Sequence, residues 1–128
     1  MIHGGNTTVI VSDISASIDF YTKVLGLVLR MRAGDHWAEI DAGGGMVIGL
    51  HPESEHGPKP GTTGALSIGL NVTVSVDEAV NTLSDRGVLF EGPVLDDGNV
   101  RLAFFSDLDG NPLYLTQVLH PGAHGAKD

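Results

Sequence analysis

With 128 residues, 41% of them hydrophobic, and a mean hydropathy of +0.11, the chain is sized for one globular domain and too apolar to be disordered. Sixteen acidic residues against seven Lys plus Arg leave a formal charge of −9, which repels nucleic acid and anionic lipid and excludes both as expected partners. Cysteine is absent, which removes disulfides, thiolate nucleophiles and zinc–thiolate sites and fits a cytoplasmic address.

No apolar run approaches the roughly 20 residues that span a bilayer, and the N-terminus lacks the charged and apolar regions of a signal peptide, so a soluble chain without membrane contact is expected. The first strand is predicted over Asn6-Thr7-Thr8-Val9-Ile10-Val11. Ser12-Asp13 then offers a cap to a helix whose apolar residues Ile14, Ile18, Tyr21 and Leu25 share one face, and Gly26 closes it. Three short strands follow at Leu27 to Met31, His36 to Asp41 and Met46 to His51, parted by Ala33-Gly34-Asp35 and by a Gly43-Gly44-Gly45 turn. That glycine run leads into a strand rather than a helix N-terminus, so it reads as a turn and not as a phosphate cradle.

Residues 52–64 hold three prolines and three glycines without apolar periodicity and read as a linker. The earlier order then returns. A strand over Ser67 to Val72 alternates polar and apolar side chains, Ser75-Val76-Asp77-Glu78 has the form of a capping box, and the helix it opens stops at Gly87. Strands are predicted near 88–91, 100–105 and 112–118, followed by a Gly- and Ala-rich tail. Gly26 and Gly87 lie about 61 positions apart, as do the two first strands. The economical reading is an α+β fold of two tandem βαβββ modules: module 1 over 5–51, the linker over 52–64, module 2 over 65–118 and a flexible tail over 119–128. A doubled unit of this kind directs the search for a site to a pocket between its halves.

Period-two alternation assigns faces. If Met46, Ile48, Leu50, Ile68, Leu70, Val72, Leu113 and Leu115 lie under helices, the other side carries Asn6, Thr8, Trp37, Glu39, Asp41, Gly49, His51, Ser67, Asn71, Arg101, Phe105, Tyr114 and Thr116. Polar groups mixed with three aromatics suit a small-molecule pocket, with a solvated sheet face as the plainer alternative.

Val11-Ser12-Asp13, Phe20-Tyr21, Val24-Leu25-Gly26 and the run Phe104 to Leu115 with its Asp107-Leu108-Asp109-Gly110-Asn111 turn together resemble the vicinal oxygen chelate superfamily. That group contains glyoxalase I, extradiol dioxygenases and bleomycin-resistance binding proteins. The resemblance covers nearly the whole chain. It implies curved mixed sheets forming a cup with helices outside, commonly within a homodimer. In metal-using members, His, Gln or Glu from the first and last strand of each module hold a divalent ion. The matching places here are Asn6, Gly49, Ser67 and Tyr114, none a convincing ligand for a hard cation. The resemblance therefore leans toward the drug-sequestering branch, with no metal and no cofactor expected. The alternative is a metal-dependent lyase, isomerase or dioxygenase whose displaced ligands are His51, His3 and Glu39.

The expected ligand-binding residues are Asn6, Trp37, Glu39, His51, Ser67, Asn71, Arg101, Phe105 and Tyr114, with no catalytic residue assigned and enzymatic activity left open. Trp37, Phe105 and Tyr114 suit stacking on a planar ligand, or ordinary packing. Arg101 suits a carboxylate or phosphate, or an internal ion pair with Glu39 or Asp41. His51 and Glu39 could act as a base and its orienting partner, or as polar binding contacts. His120 and His124, flanked by Pro121, Gly122 and Gly125, read as part of the tail.

Overall fold

The computed structural model describes residues 1, 3–61 and 66–119. The expected tail from His120 onward, with His120 and His124, and the last linker residues lie outside the described residues. Eight strands and two helices follow the predicted order. β1 (Thr7–Val11), α1 (Ile14–Asp19), β2 (Val28–Ala33), β3 (Trp37–Gly43) and β4 (Met46–Pro52) form the first module, and β5 (Ile68–Asn71), α2 (Val76–Asp85), β6 (Phe90–Asp96), β7 (Val100–Ser106) and β8 (Pro112–Val118) the second. Each module builds its own open four-stranded sheet, ordered β1-β4-β3-β2 and β5-β8-β7-β6. The outer pairs β1–β4 and β5–β8 are parallel and the others antiparallel, so both sheets are mixed.

Alternation decides what each helix covers. α1 packs on β3 and β4, burying Ile14 and Ile18 against Ala38, Ile40, Ile48 and Leu50. α2 packs on β6, β7 and β8 with Val76 and Leu83 inward, over Ala103, Phe105, Leu113 and Leu115. Burying each large aliphatic side chain contributes roughly 1.5–3 kcal/mol, enough to set the pairing register against a one-residue slip. Caps agree with the sequence: Asp13 accepts from the Ala16 N–H at 2.9 Å and Ser75 from the Glu78 N–H at 3.1 Å. Gln117 Oε1 takes the Val76 N–H at 3.0 Å and pins α2 to β8.

Two elements differ from expectation. The first helix does not continue regularly to Leu25. After Asp19 it widens over Phe20–Val24, where the Leu25 N–H reaches back five residues to the Phe20 carbonyl. The Thr22 hydroxyl donates to the Ile18 carbonyl at 2.6 Å and competes with the helix for that acceptor. In the second module β6 runs on to Asp96 through Gly92-Pro93, with a register shift between Glu91 and Leu95. Proline is tolerated there because β6 is an edge strand.

By its contacts the chain divides into two compact units, residues 1–65 with Asp107–Asn111, and residues 66–106 with 112–128. The loop between β7 and β8 thus groups with the first unit, and the reason is a buried carboxylate. Asp107 is 8% exposed. Its Oδ2 accepts from the Tyr21 hydroxyl at 2.8 Å and Asn111 Nδ2 at 2.8 Å, and its Oδ1 from the Asp109 and Asn111 N–H groups, each at 2.9 Å. Asn111 Nδ2 also donates to the Ile10 carbonyl at 3.0 Å, its Oδ1 accepts from the Gly61 N–H at 3.1 Å, and Asp109 Oδ1 accepts from the Ser12 N–H at 3.1 Å.

Burial, then the negative charge of Asp107, pushes the Tyr21 phenol far above its usual value of 10.0. Replacing Tyr21 with Phe leaves Asp107 Oδ2 one donor short and is expected to cost about 1–3 kcal/mol in urea unfolding at neutral pH. A phenol raised in the folded state stabilises fully below its unfolded value and less above it, so the wild-type advantage over Tyr21→Phe should hold up to about pH 10 and shrink beyond.

Candidate functional site

The uncovered face of the first sheet is organised around a missing side chain. Gly49 on β4 lies opposite Thr8 of β1 and Glu39 of β3. A Cβ placed there would come within 2.3 Å of Trp37 Cη2 and 2.8 Å of Cζ2. Real atoms do not approach so closely, so glycine is what lets the indole lie on the sheet. Seated there, Trp37 Nε1 donates to Glu39 Oε2 at 3.0 Å, and Arg30 Nε stands 3.5 Å from Glu39 Oε1. The His51 ring lies edge-on to Trp37, centroids 6.4 Å apart. His51 Nδ1 is 2.7 Å from the Pro52 carbonyl, which can only accept, so Nδ1 carries the proton. The Thr8 hydroxyl donates to Asn6 Oδ1 at 2.9 Å. Residues including His3, Asn6, Arg30, Glu39 and Val47 line a cavity of about 350 Å³, which Trp37 adjoins through its bond to Glu39 without lining it.

The second sheet repeats the device with the partners exchanged. Gly69 on β5 pairs with Tyr114 on β8, as Thr8 on β1 pairs with Gly49 on β4. A Cβ at 69 would lie 2.4 Å from Tyr114 Cζ and 2.5 Å from its hydroxyl oxygen. Phe104 stands next to Tyr114, ring centroids 5.8 Å apart, and Asn71 faces Thr116 on the same side. Ser67 immediately precedes β5 and is exposed.

The structure gathers Asn6, Trp37, Glu39 and His51 on one sheet and Ser67, Asn71 and Tyr114 on the other. It moves two expected residues off the open side. β7 aligns Phe104 with Tyr114 and Leu102 with Thr116, so Arg101, Ala103 and Phe105 point the other way, under α2. Phe105 is 1% exposed and packs on Phe90 at 5.3 Å. Arg101 bonds neither Glu39 nor Asp41. It grips both oxygens of Asp77 on α2, at 2.9 and 2.8 Å, and Asp96 at 2.8 Å. Leu102-Ala103-Phe104-Phe105 is apolar on both faces, so alternation carried no parity signal. Nor does Glu39 orient His51, since its oxygens are engaged by Trp37 and Arg30.

Sequence reading missed Phe104 and Arg30. Phe104 was recoverable from the pairing of β7 with β8. Arg30 was not, because a bulge between Leu29 and Met31 breaks the alternation along β2.

A family model described as the Glyoxalase/Bleomycin resistance protein/Dioxygenase superfamily matches residues 5–115. The chain belongs to this superfamily. A Mycolicibacterium smegmatis relative is 34% identical over 102 residues, which cover 79% of this chain and 81% of the relative. Among solved structures of similar fold, TnmS3, an antibiotic binding protein from Streptomyces sp. CB03234, is 31% identical with a TM-score of 0.75 over 92% of this chain and 97% of its own. A superfamily member from Sphaerobacter thermophilus is 29% identical, TM-score 0.74, over 91% and 97%. No helix among the described residues of this superfamily member is long and apolar enough to cross a membrane.

Replacing Gly49 with Ala should unseat the indole. Because Trp37 is the one tryptophan, the expected outcome is a red-shifted emission spectrum together with a loss of about 1–3 kcal/mol in denaturant unfolding. For Asp96, the Gly98 N–H and then Arg101 hold its carboxyl below the usual 3.8. A lowered folded value stabilises above the unfolded value and is lost as pH falls. The stability gap between wild type and Asp96→Asn should therefore be full at neutral pH and close progressively below pH 3.8.

Proposed function

We propose that the chain binds a small organic molecule against its open sheet faces and holds it unchanged, as in drug or metabolite sequestration, without a metal. The observation that carries this reading is the seating of Trp37 on Gly49. It turns a ligand place of the superfamily's metal-using members into a flat aromatic surface. The residues present do not fit a hard divalent ion. Gly49 offers no donor atom and its space is filled by the indole, Tyr114 lies on Gly69, and Asn6 Oδ1 is already bonded to Thr8. Among the described residues no three His, Cys, Asp or Glu side chains stand together as a metal site would need. Of the shifted set, Glu39 is engaged by Trp37 and Arg30.

Aromatic surface is the chemistry such a site offers, and base or antibiotic rings of any substitution present a π face to it. The likeness to an antibiotic binding protein at 31% identity supports the same reading. The proposal extends to a cytoplasmic homodimer. Absence of cysteine supports the first term. The second is supported by β2, an edge strand on which Val28, Leu29 and Met31 are 63, 41 and 42% exposed.

Titration with a panel of planar antibiotics and aromatic metabolites should quench Trp37 emission, and bound compound should be recovered chemically intact. Trp37→Ala should weaken binding at least about tenfold, equivalent to ~1.4 kcal/mol. Stoichiometric metal in the purified protein, or conversion of a bound compound, would overturn the proposal.

A further inference from the structure

The cavity lined by Arg30, Glu39 and Asn6 holds groups whose hydrogen-bonding capacity is unevenly filled. Each oxygen of Glu39 has one partner, the indole N–H at 3.0 Å and, as an ion pair, Arg30 Nε at 3.5 Å. Arg30 is not. Among the described residues its one partner is Glu39, reached through Nε, which leaves both terminal nitrogens and their four N–H donors unused. Asn6 shows the same imbalance, because its Oδ1 is taken by the Thr8 hydroxyl while its amide nitrogen has no partner among the described residues. The imidazole of His3 lies in the same wall. The unused side-chain donors of the cavity are therefore those of Arg30 and Asn6, and one of the two is a permanent cation.

We infer that the molecule bound here is a flat aromatic compound bearing an oxyanion, a carboxylate or an ionised acidic hydroxyl, whose ring lies on Trp37 and whose charged oxygens meet Arg30 and Asn6. This rests on the small-molecule reading above and names the ligand's chemistry. Two facts set the choice of anion over cation. Glu39 carries the one carboxylate among the lining residues and already stands beside a guanidinium, which would repel an incoming cation. A guanidinium meets a carboxylate through a planar pair of N–H donors, and the two terminal nitrogens of Arg30 are the pair that is open. A cavity of about 350 Å³ admits a carboxylate and one or two fused rings.

The test compares 2-naphthoate with 2-naphthamide, which share a ring system and differ in charge, by calorimetric titration of the full chain with Trp37 emission recorded in parallel. The acid should bind at least tenfold tighter than the amide. Arg30→Gln should erase that preference, and Arg30→Lys should restore part of it, which a general loss of folding would not do. Equal binding of acid and amide by wild type, or a preference that survives Arg30→Gln, overturns the inference while the small-molecule reading stands. If no planar compound binds at all, acid or neutral, both fall together.

Discussion

A carboxylate taken out of water costs several kcal/mol unless its lone pairs are met, and Asp107 meets that demand with four donors. Three of those donors come from its own loop, which is therefore folded around it. The fourth is the Tyr21 hydroxyl, delivered by the widened end of the first helix. Asn111 extends the same network to the backbone of β1 and to Gly61, and Asp109 extends it to Ser12. The wide turn over Phe20–Val24 is thus not an ornament of the helix. It ends a regular helix early and brings Tyr21 to the buried carboxylate. Beyond its ladder with β4, β1 is held by this loop through the Ile10 carbonyl.

The sites themselves depend on a different constraint, the space above a glycine. In each module one member of the parallel strand pair has no side chain, and an aromatic ring occupies the vacancy. In the first module the ring arrives diagonally from β3, and in the second from the paired residue on β8. The exchange has a chemical consequence. Where a strand keeps glycine under a ring, the face becomes broad, flat and weakly polar, which favours stacking over coordination. Polar character is then supplied from the side, by Glu39, Arg30 and His51 around the indole and by Asn71 and Thr116 near Tyr114.

Arg101 illustrates how charge and burial separate structural from ligand-facing residues. Its guanidinium is committed to Asp77 on α2 and Asp96 at the end of β6. Its Nε is buried without a partner among the described residues. These pairs fasten the helix to the sheet and define a turn, so the residue has little left for a ligand. Arg30, by contrast, sits on an edge strand and, among the described residues, has Glu39 as its one partner, met through Nε.

The order of strands and helices, both caps, the doubled unit and the Asp-x-Asp-Gly-Asn turn were legible in the amino-acid order, because capping, period-two alternation and turn chemistry are local. Trp37, Glu39, His51 and Tyr114 were also legible as open-face residues, since their strands alternate cleanly. The faces of Arg101 and Phe105 were not, because Leu102 to Phe105 are apolar on both sides and only pairing with β8 settles which side Phe104 shares with Tyr114. The role of Arg30 needed the bulge in β2, and the meaning of Gly49 needed the ring above it. Local rules act over a turn or a strand's pleat, whereas register, bulges and the contact of a ring with a glycine on the neighbouring strand are set by partners distant in sequence. The chain alone therefore determined a pair of βαβββ modules, and the tertiary structure alone decided that an indole lies over Gly49.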